Sequence, residues 1–255
     1  MKVLITAGNT QTPIDRVRCI TNVFTGRTGA QVALEAQRRG HNVTLLTSHP
    51  EVIRDLAPGV TPPAETRTVR TYRTFLDLHD AMRGLLAGGG FDVLIHAAAV
   101  SDYCMAGIYA PVAGTAFDPA TGAWAHGKMV DVSAGKVKSH HPELWMRLTP
   151  TPKLADLVRS PWGFRGVFVK FKLEVGVTDA QLQEVAAKSR ERSDADLIVA
   201  NTLEGKDAVA WVCDRGGGWE RVARGELAAK LMQQVEARLP VHPPHQCSPA
   251  KPGEH

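Results

Sequence analysis

The chain of 255 residues is 44% apolar and 22% charged and carries a formal charge of +4. These values fit a soluble globular enzyme with one large or two small α/β domains and a sizeable core. Its basic residues are dispersed rather than clustered, which argues against nucleic acid as the main partner, and no apolar run is long enough to span a membrane. Cys19, Cys104, Cys213 and Cys247 form no CxxC pair, and Met1 leads almost directly into the first apolar run. Both features predict a reduced, cytoplasmic protein without a targeting segment.

Strand and helix signals alternate along the chain. Val3 to Thr6 reads as a buried strand ending at Ala7-Gly8, and the amphipathic segment Ala30 to Arg39 opens at Gly26-Arg27-Thr28-Gly29. The connection from Gly8 to Gly26 is far longer than a usual βα loop, and a long loop of this kind is more often functional than not. Val43 to Leu46 is a second strand, Leu76 to Leu86 a helix stopped by Gly88 to Gly90, and Asp92 to Ala98 a further buried strand. From Tyr103 to Lys136 the periodicity breaks down, and an irregular excursion or flap is expected. Arg165 to Phe171 and Asp196 to Ala200 are apolar strands, with Thr178 and Gln181 forming a capping box for the helix between them. Ala208 to Cys213 and Trp219 to Val222 read as a hairpin, and Glu226 to Leu239 as a closing helix. Together these predict a Rossmann-like, mostly parallel sheet with helices on both faces plus a β-hairpin or flap excursion. They form one domain over 1–239, followed by a disordered proline-rich tail over 240–255.

Several patterns suggest chemistry, each beside a plainer reading. A nicotinamide enzyme would want G-x-G-x-x-G after the first strand and a carboxylate after the second; the chain has Ala7-Gly8-Asn9-Thr10 and Thr47-Ser48-His49. Tyr103 is followed four residues on by Gly107 instead of the lysine of a short-chain reductase, and no Walker A sequence is present. Gly26-Arg27-Thr28-Gly29 suits phosphate binding at a helix start or, equally, close helix packing. Ala97 to Asp102 could seat a ligand against backbone, although Asp102 as a helix N-cap is the plainer reading. Lys136 and Lys138 flank Val137 and would share one face of an extended segment, as paired phosphate ligands or as a solvated edge. Lys188 and Arg192 read as a surface pair on a helix. His242, His245 and Cys247 are a weak metal signal in the tail.

Taken in order, VLITAGNTQTPIDRVRCITN, TGRTG, HAAAVSDY, GKVKS, LTPTPKLADLV, VKFKLEV and ADLIVAN resemble the phosphopantothenoylcysteine synthetase (phosphopantothenate–cysteine ligase) family. The likeness runs from Met1 to about Leu239. It implies a ligase of coenzyme A synthesis that activates 4'-phosphopantothenate with CTP or ATP as an acyl-nucleotidylate, releasing pyrophosphate, and then joins cysteine. By resemblance, Asn22 would hold the carboxylate and the acyl-nucleotidylate, and Arg18 would meet substrate across a dimer interface. Ala98, Ala99 and Asp102 would line the pantothenate pocket. Gly8, Gly26 and Gly29 would cradle phosphates, and Lys136 would neutralise the triphosphate. Phe171, Lys188 and Asn201 would complete the nucleotide site, with Pro152, Lys153, Leu154 and Ala155 beside the base.

The resemblance further implies Mg2+, no flavin or NAD, a homodimer, and the ligase step alone, without the flavin-dependent decarboxylase fused to many bacterial members. The chain departs from the family pattern at Asn9, where a glycine is usual, and at Phe24-Thr25, where two serines are usual. Its lysine run is shortened at Lys136 to Ser139, and Lys188 and Arg192 stand one residue out of register. Two other functions stay open at this point: an NAD(P)-dependent short-chain-type oxidoreductase, and a non-catalytic nucleotide-binding relative.

Overall fold

In the computed structural model, residues 1–59 and 67–239 are described. The tail expected over 240–255, with its histidines and Cys247, lies outside them. The chain opens with β1 (Lys2–Ala7), a short hairpin of β2 (Gln11–Pro13) and β3 (Cys19–Thr21), and α1 (Arg27–Arg38). Next come β4 (Asn42–Thr47), α2 (Pro50–Leu56), β5 (Arg67–Thr71), α3 (Phe75–Ala87) and β6 (Val93–His96). An insertion carries β7 (Tyr103–Pro111), β8 (Ala116–Asp118), β9 (Ala123–Ala125), β10 (Met129–Asp131) and β11 (Trp145–Pro150). The chain then returns through α4 (Leu154–Leu157), β12 (Val167–Glu174), α5 (Asp179–Arg192), β13 (Leu197–Thr202), β14 (Val209–Asp214), β15 (Trp219–Ala223) and α6 (Leu227–Glu236).

The main sheet has eight strands in the order β15-β14-β13-β12-β6-β1-β4-β5. The six from β13 to β5 are parallel, and β14 and β15 add an antiparallel hairpin at one edge. The parallel strands follow the doubly wound order, so β1 and β6 flank the switch point where connections leave to opposite sides. Both faces are covered. Val3, Ile5, Val93, Ile95, Val169 and Val199 meet α1 and α6 on one side. Leu4, Leu94 and Phe168 meet α3 on the other, and α5 packs Leu182 and Ala186 on Ile198 and Ala200. No helix among the described residues is long and apolar enough to cross a membrane.

The excursion is more regular than its sequence suggests. β10-β7-β11 form a three-stranded antiparallel sheet, and β8-β9 a small hairpin whose Phe117 and Trp124 close on Trp145. The pairing of β7 with β11 shifts register between Arg147 and Leu148, which together with the short strands hides the pattern. By contrast, Lys136 and Lys138 lie outside any strand, flanking a buried Val137.

The long connection after β1 contains its own hairpin, and it returns to its starting point. Gly8 (φ 87°) and Gly26 (φ 83°) both sit in the left-handed region, and a Cβ on Gly26 would fall on the Gly8 amide and lie 2.8 Å from the Gly8 Cα. Only two backbones without side chains can cross this closely.

Beneath the carboxyl ends of β1, β6 and β12 runs a buried polar row of register partners, Thr6, His96 and Lys170. Thr6 Oγ1 and His96 Nδ1 are 2.7 Å apart. Lys170 Nζ donates to Ser189 O at 3.0 Å and Ser193 Oγ at 2.9 Å. Burial, and then the neighbouring Lys170 charge, pull His96 down to about 4; burial pulls Lys170 down to about 8.

Gly26→Ala is expected to cost roughly 3 kcal/mol through left-handed strain and overpacking, lowering Tm by roughly 6–12 °C. A thermal melt within a degree or two of the parent would contradict the crossing. For Lys170 the folded state releases its proton more readily than the unfolded chain. The unfolded chain therefore holds more protons between pH 8 and the ordinary lysine value of 10.5, and stability should rise with pH across that window. Lys170→Met removes this rise and raises stability at pH 7 by up to about 3 kcal/mol. Denaturant titrations at pH 7 and pH 10 read both effects.

Candidate functional site

A cleft of about 560 Å³ opens beyond the carboxyl ends of the strands at the switch point. Its walls come from the turn after β1, the loop entering α1, the small-residue run after β6, the ends of β12 and β13, and the approach to α6. Ligands of doubly wound folds bind at this place because the connections part there and leave a crevice.

The loop entering α1 is pinned residue by residue. Ala99 N donates to Gly8 O at 2.7 Å and Thr10 N donates to Ala99 O at 3.3 Å, prolonging the β1–β6 pairing past Gly8. Asn22 Nδ2 donates to the same Ala99 O at 3.0 Å. This leaves its second N–H and its Oδ1 without a partner among the described residues, at the cleft wall. Asn9 is almost wholly buried and acts as a bracket. Its N–H donates to Ser48 Oγ at 2.9 Å and its Nδ2 to Asn22 O at 2.6 Å.

Gly8, Asn22, Gly26, Ala98, Ala99, Asp102, Phe171 and Asn201 are brought together as lining of the cleft. Gly29 is buried below it, where α1 crosses β1; an added Cβ there would lie 2.7 Å from the Ala7 Cβ. No helix follows Asp102, which leads into β7, so it is not an N-cap. Instead it accepts a hydrogen bond of 2.5 Å from Lys153 Nζ at the cleft rim. Of the other residues at the start of α4, Leu154 is buried in the opposite-face core with Ala155 packed against it, and Pro152 is exposed.

Arg18 and Lys136 both lie outside the lining, Arg18 against the segment that carries Lys136. The Asp15 side chain, fully buried, accepts from Arg18 Nη2 at 2.6 Å and from the backbone N–H groups of Val17, Arg18 and Val137 at 2.9, 2.8 and 3.1 Å. The Arg18 guanidinium above all, with these N–H groups, holds the Asp15 carboxyl far below the usual range. Arg18 Nη2 also donates to Val137 O at 2.8 Å, so the β2–β3 hairpin tip grips the Lys136 segment. Lys188 stands apart on α5, exposed and paired with Glu184 at 2.6 Å; Arg192 reaches Asp156 at 3.0 Å.

The lining includes four cations that sequence reasoning missed: Arg27, Lys172, Lys206 and Arg224. Lys172 pairs with Glu174 at 2.8 Å and Lys206 with Asp207 at 2.7 Å. The Lys206 contact also lowers the Asp207 carboxyl. Arg224, in the turn before α6, contacts Thr28 Oγ1 in the first turn of α1. Burial lowers its guanidinium from the ordinary arginine value. Arg27 and Lys172 lie within segments the sequence singles out, TGRTG and VKFKLEV, but no local motif marks Lys206 and Arg224; docking of α6 beside α1 and the folding back of the β13–β14 loop bring those two in. Among the described residues no group of three or more His, Cys, Asp or Glu could hold a metal ion. The carboxylates at the cleft, Asp102 and Asp207, each already carry a lysine.

Residues 1–110 match the family described as DNA/pantothenate metabolism flavoprotein C-terminal domain. The chain is 32% identical over 244 residues to the coenzyme A biosynthesis bifunctional protein CoaBC of Thermococcus kodakarensis, covering 93% of this chain and 51% of that protein. It therefore spans about half the length of the curated relatives it matches. The crystal structure of the DNA/pantothenate metabolism flavoprotein from Streptococcus pneumoniae aligns with a TM-score of 0.73 at 27% identity, covering 93% of this chain and 99% of that one. A Cab2 mutant in complex with phosphopantothenate-cysteine shares the fold, with a TM-score of 0.65 at 17% identity over 93% of this chain and 85% of that one. The match over residues 1–110, the relatedness along 93% of this chain and the common fold agree: the chain is homologous to CoaBC proteins and similar to the DNA/pantothenate metabolism flavoprotein C-terminal domains.

Proposed function

We propose that residues 1–239 form one ligase domain that joins 4'-phosphopantothenate and L-cysteine, using CTP or ATP, to give 4'-phosphopantothenoylcysteine. The observation that carries this reading is Asn22, fixed through Ala99 O at the wall of a cleft at the switch point, with an amide N–H left to donate. The relationship to CoaBC proteins supports the choice of substrates.

A carboxylate resists attack by an amine until one oxygen becomes a good leaving group. In the first step a substrate carboxylate oxygen attacks the α-phosphorus, the bond to the β-phosphate oxygen breaks, and pyrophosphate leaves. In the second, the cysteine amine attacks the acyl carbon, the nucleoside monophosphate departs, and the amine proton passes to solvent. Asn22 holds the carboxylate in line for the first attack and donates to the acyl oxygen as charge develops in the second. Ala98 and Ala99 present small side chains to the pantothenate arm, and Asp102, with Lys153, offers a hydrogen-bonding end. Phe171 and Asn201 border the nucleotide, and Gly8 and Gly26 admit its phosphates. Lys188, paired on the α5 surface, has no part in this arrangement.

Paired carboxylates at the cleft suit Mg2+ that arrives on the nucleotide phosphates rather than in a protein cage. Bound there, the ion would offset phosphate charge. Arg18 at the hairpin tip and Lys136 in the segment held there through Val137 lie away from the lining and suit delivery to the cleft of a second copy in a cytoplasmic homodimer.

Purified protein with phosphopantothenate, cysteine, Mg2+ and CTP or ATP should release pyrophosphate; none with either nucleotide would sink the reading. Asn22→Asp, placing a like charge against the acyl oxygen and losing the hydrogen bond to Ala99 O, should slow amide formation roughly 100-fold in the folded protein and lower Tm by a few degrees. Lys136→Ala should slow pyrophosphate release roughly 10-fold. Parental rates in both variants would discard the residue assignment and leave the activity standing. Light scattering should return a dimer mass.

A further inference from the structure

Four cations border the cleft, and they divide into two kinds. Lys172 and Lys206 have carboxylate partners. Arg27 and Arg224 have none among the described residues, and both stand at the first turn of α1. The two are not equally placed. Arg27 is exposed, so water serves its charge at little cost. Arg224 is half-buried, and its Nη1 is shut off from solvent with no hydrogen-bond partner.

An arginine taken out of water is ordinarily paired, because an uncompensated charge and an unused N–H each oppose folding. Of the half-buried arginines elsewhere, Arg39 pairs with Glu35 and Glu236, Arg159 with Asp196 and Arg238 with Asp214, while Arg67 donates to Gln37. Among the described residues three other buried side-chain polar atoms lack a partner, on Asp156, Arg190 and Trp211, but none of those residues borders the cleft. Among the described residues Arg224 is thus the one residue of the lining with a buried, unsatisfied side-chain donor. Asp207, whose charge favours the Arg224 cation, is engaged by Lys206.

We infer that Arg224 is a polyphosphate-binding residue of the nucleotide site, its guanidinium donating to non-bridging phosphate oxygens beside Gly26 and Thr28. This rests on the reading of the cleft as a nucleotide site. A planar guanidinium with N–H groups directed at one anion matches phosphate geometry better than an ammonium does. Thr28 Oγ1, by accepting from Nη2, fixes the plane of the fork.

The test measures binding of CTP, ATP and inorganic tripolyphosphate, with Mg2+, to the parent, Arg224→Met and Arg224→Lys by calorimetry, and melts each protein without ligand. Arg224→Met should lose nucleotide and tripolyphosphate affinity roughly 10-fold or more, and Arg224→Lys should recover part of it. The ligand-free melt of Arg224→Met should be unchanged or higher, because a buried unsatisfied donor has gone. A purely structural arginine would give the reverse, a lower melt with affinity retained in the folded fraction. Methionine and lysine variants that bind as tightly as the parent would overturn the inference and leave the nucleotide site intact. A parent protein that binds none of the three ligands would overturn both.

Discussion

Everything at the cleft depends on the crossing of two backbones, Gly8 over Gly26. The first strand ends at the switch point of the sheet, where a short turn into α1 would be sufficient to make the fold. The chain instead makes a hairpin excursion and closes it by passing back over its own origin, in contact that side chains would forbid. That closure sets α1 at the crevice and leaves the residues just before Gly26 as one wall of it. Asn22 is placed by this constraint and then locked by Ala99 O, a carbonyl supplied by the neighbouring strand's loop. The amide proposed to act in catalysis is therefore positioned by the sheet itself, through the strand pair β1–β6, and not by a flexible loop.

The arrangement separates two kinds of charge. Beneath the strand ends a lysine and a histidine are buried with poor access to water, and burial disfavours their charged forms. Above, two arginines and two lysines line the cleft, where the phosphates of the proposed nucleotide would sit. The buried row serves packing and register across three strands; in the proposed reading the upper set serves the ligand. The hairpin tip forms a third group, in which the buried Asp15 carboxylate draws Arg18 and the Val137 backbone into one body. Neutralising Arg18 through Asp15 keeps that arm ordered while Lys136, next along the chain, stays exposed.

The sheet was legible in the sequence because its central strands are buried on both faces and so read as unbroken apolar runs, as in Val3 to Thr6 and Asp196 to Ala200. The edge strand β5, Arg-Thr-Val-Arg-Thr, is largely exposed and carries no such signal. The flap hid for a related reason: its strands are short or bulged, and half of each faces solvent. The Thr178–Gln181 box was readable, and the equivalent box of Thr74 and Asp77 sits before a helix whose start looks apolar from Phe75 onward. At the site, residues near Gly8 and Ala98 could be found from strand ends and small-residue runs. Arg224 could not, since its place beside Thr28 follows from α6 docking along α1, a tertiary fact with no local pattern. Likewise Asp102 reads as a helix cap from its local sequence, whereas β7 and not a helix follows it.

The central claim is that the cleft activates a carboxylate by nucleotidyl transfer and that Asn22 serves the resulting acyl-nucleotidylate. The direct measurement uses phosphopantothenate labelled with 18O in its carboxylate, incubated with nucleotide and cysteine, followed by mass spectrometry of the products. The account predicts one labelled oxygen in the released nucleoside monophosphate and none in pyrophosphate. Label in inorganic phosphate would mean an acyl phosphate in its place, and an unlabelled monophosphate would mean that the carboxylate never attacked the α-phosphorus; either result would contradict the account.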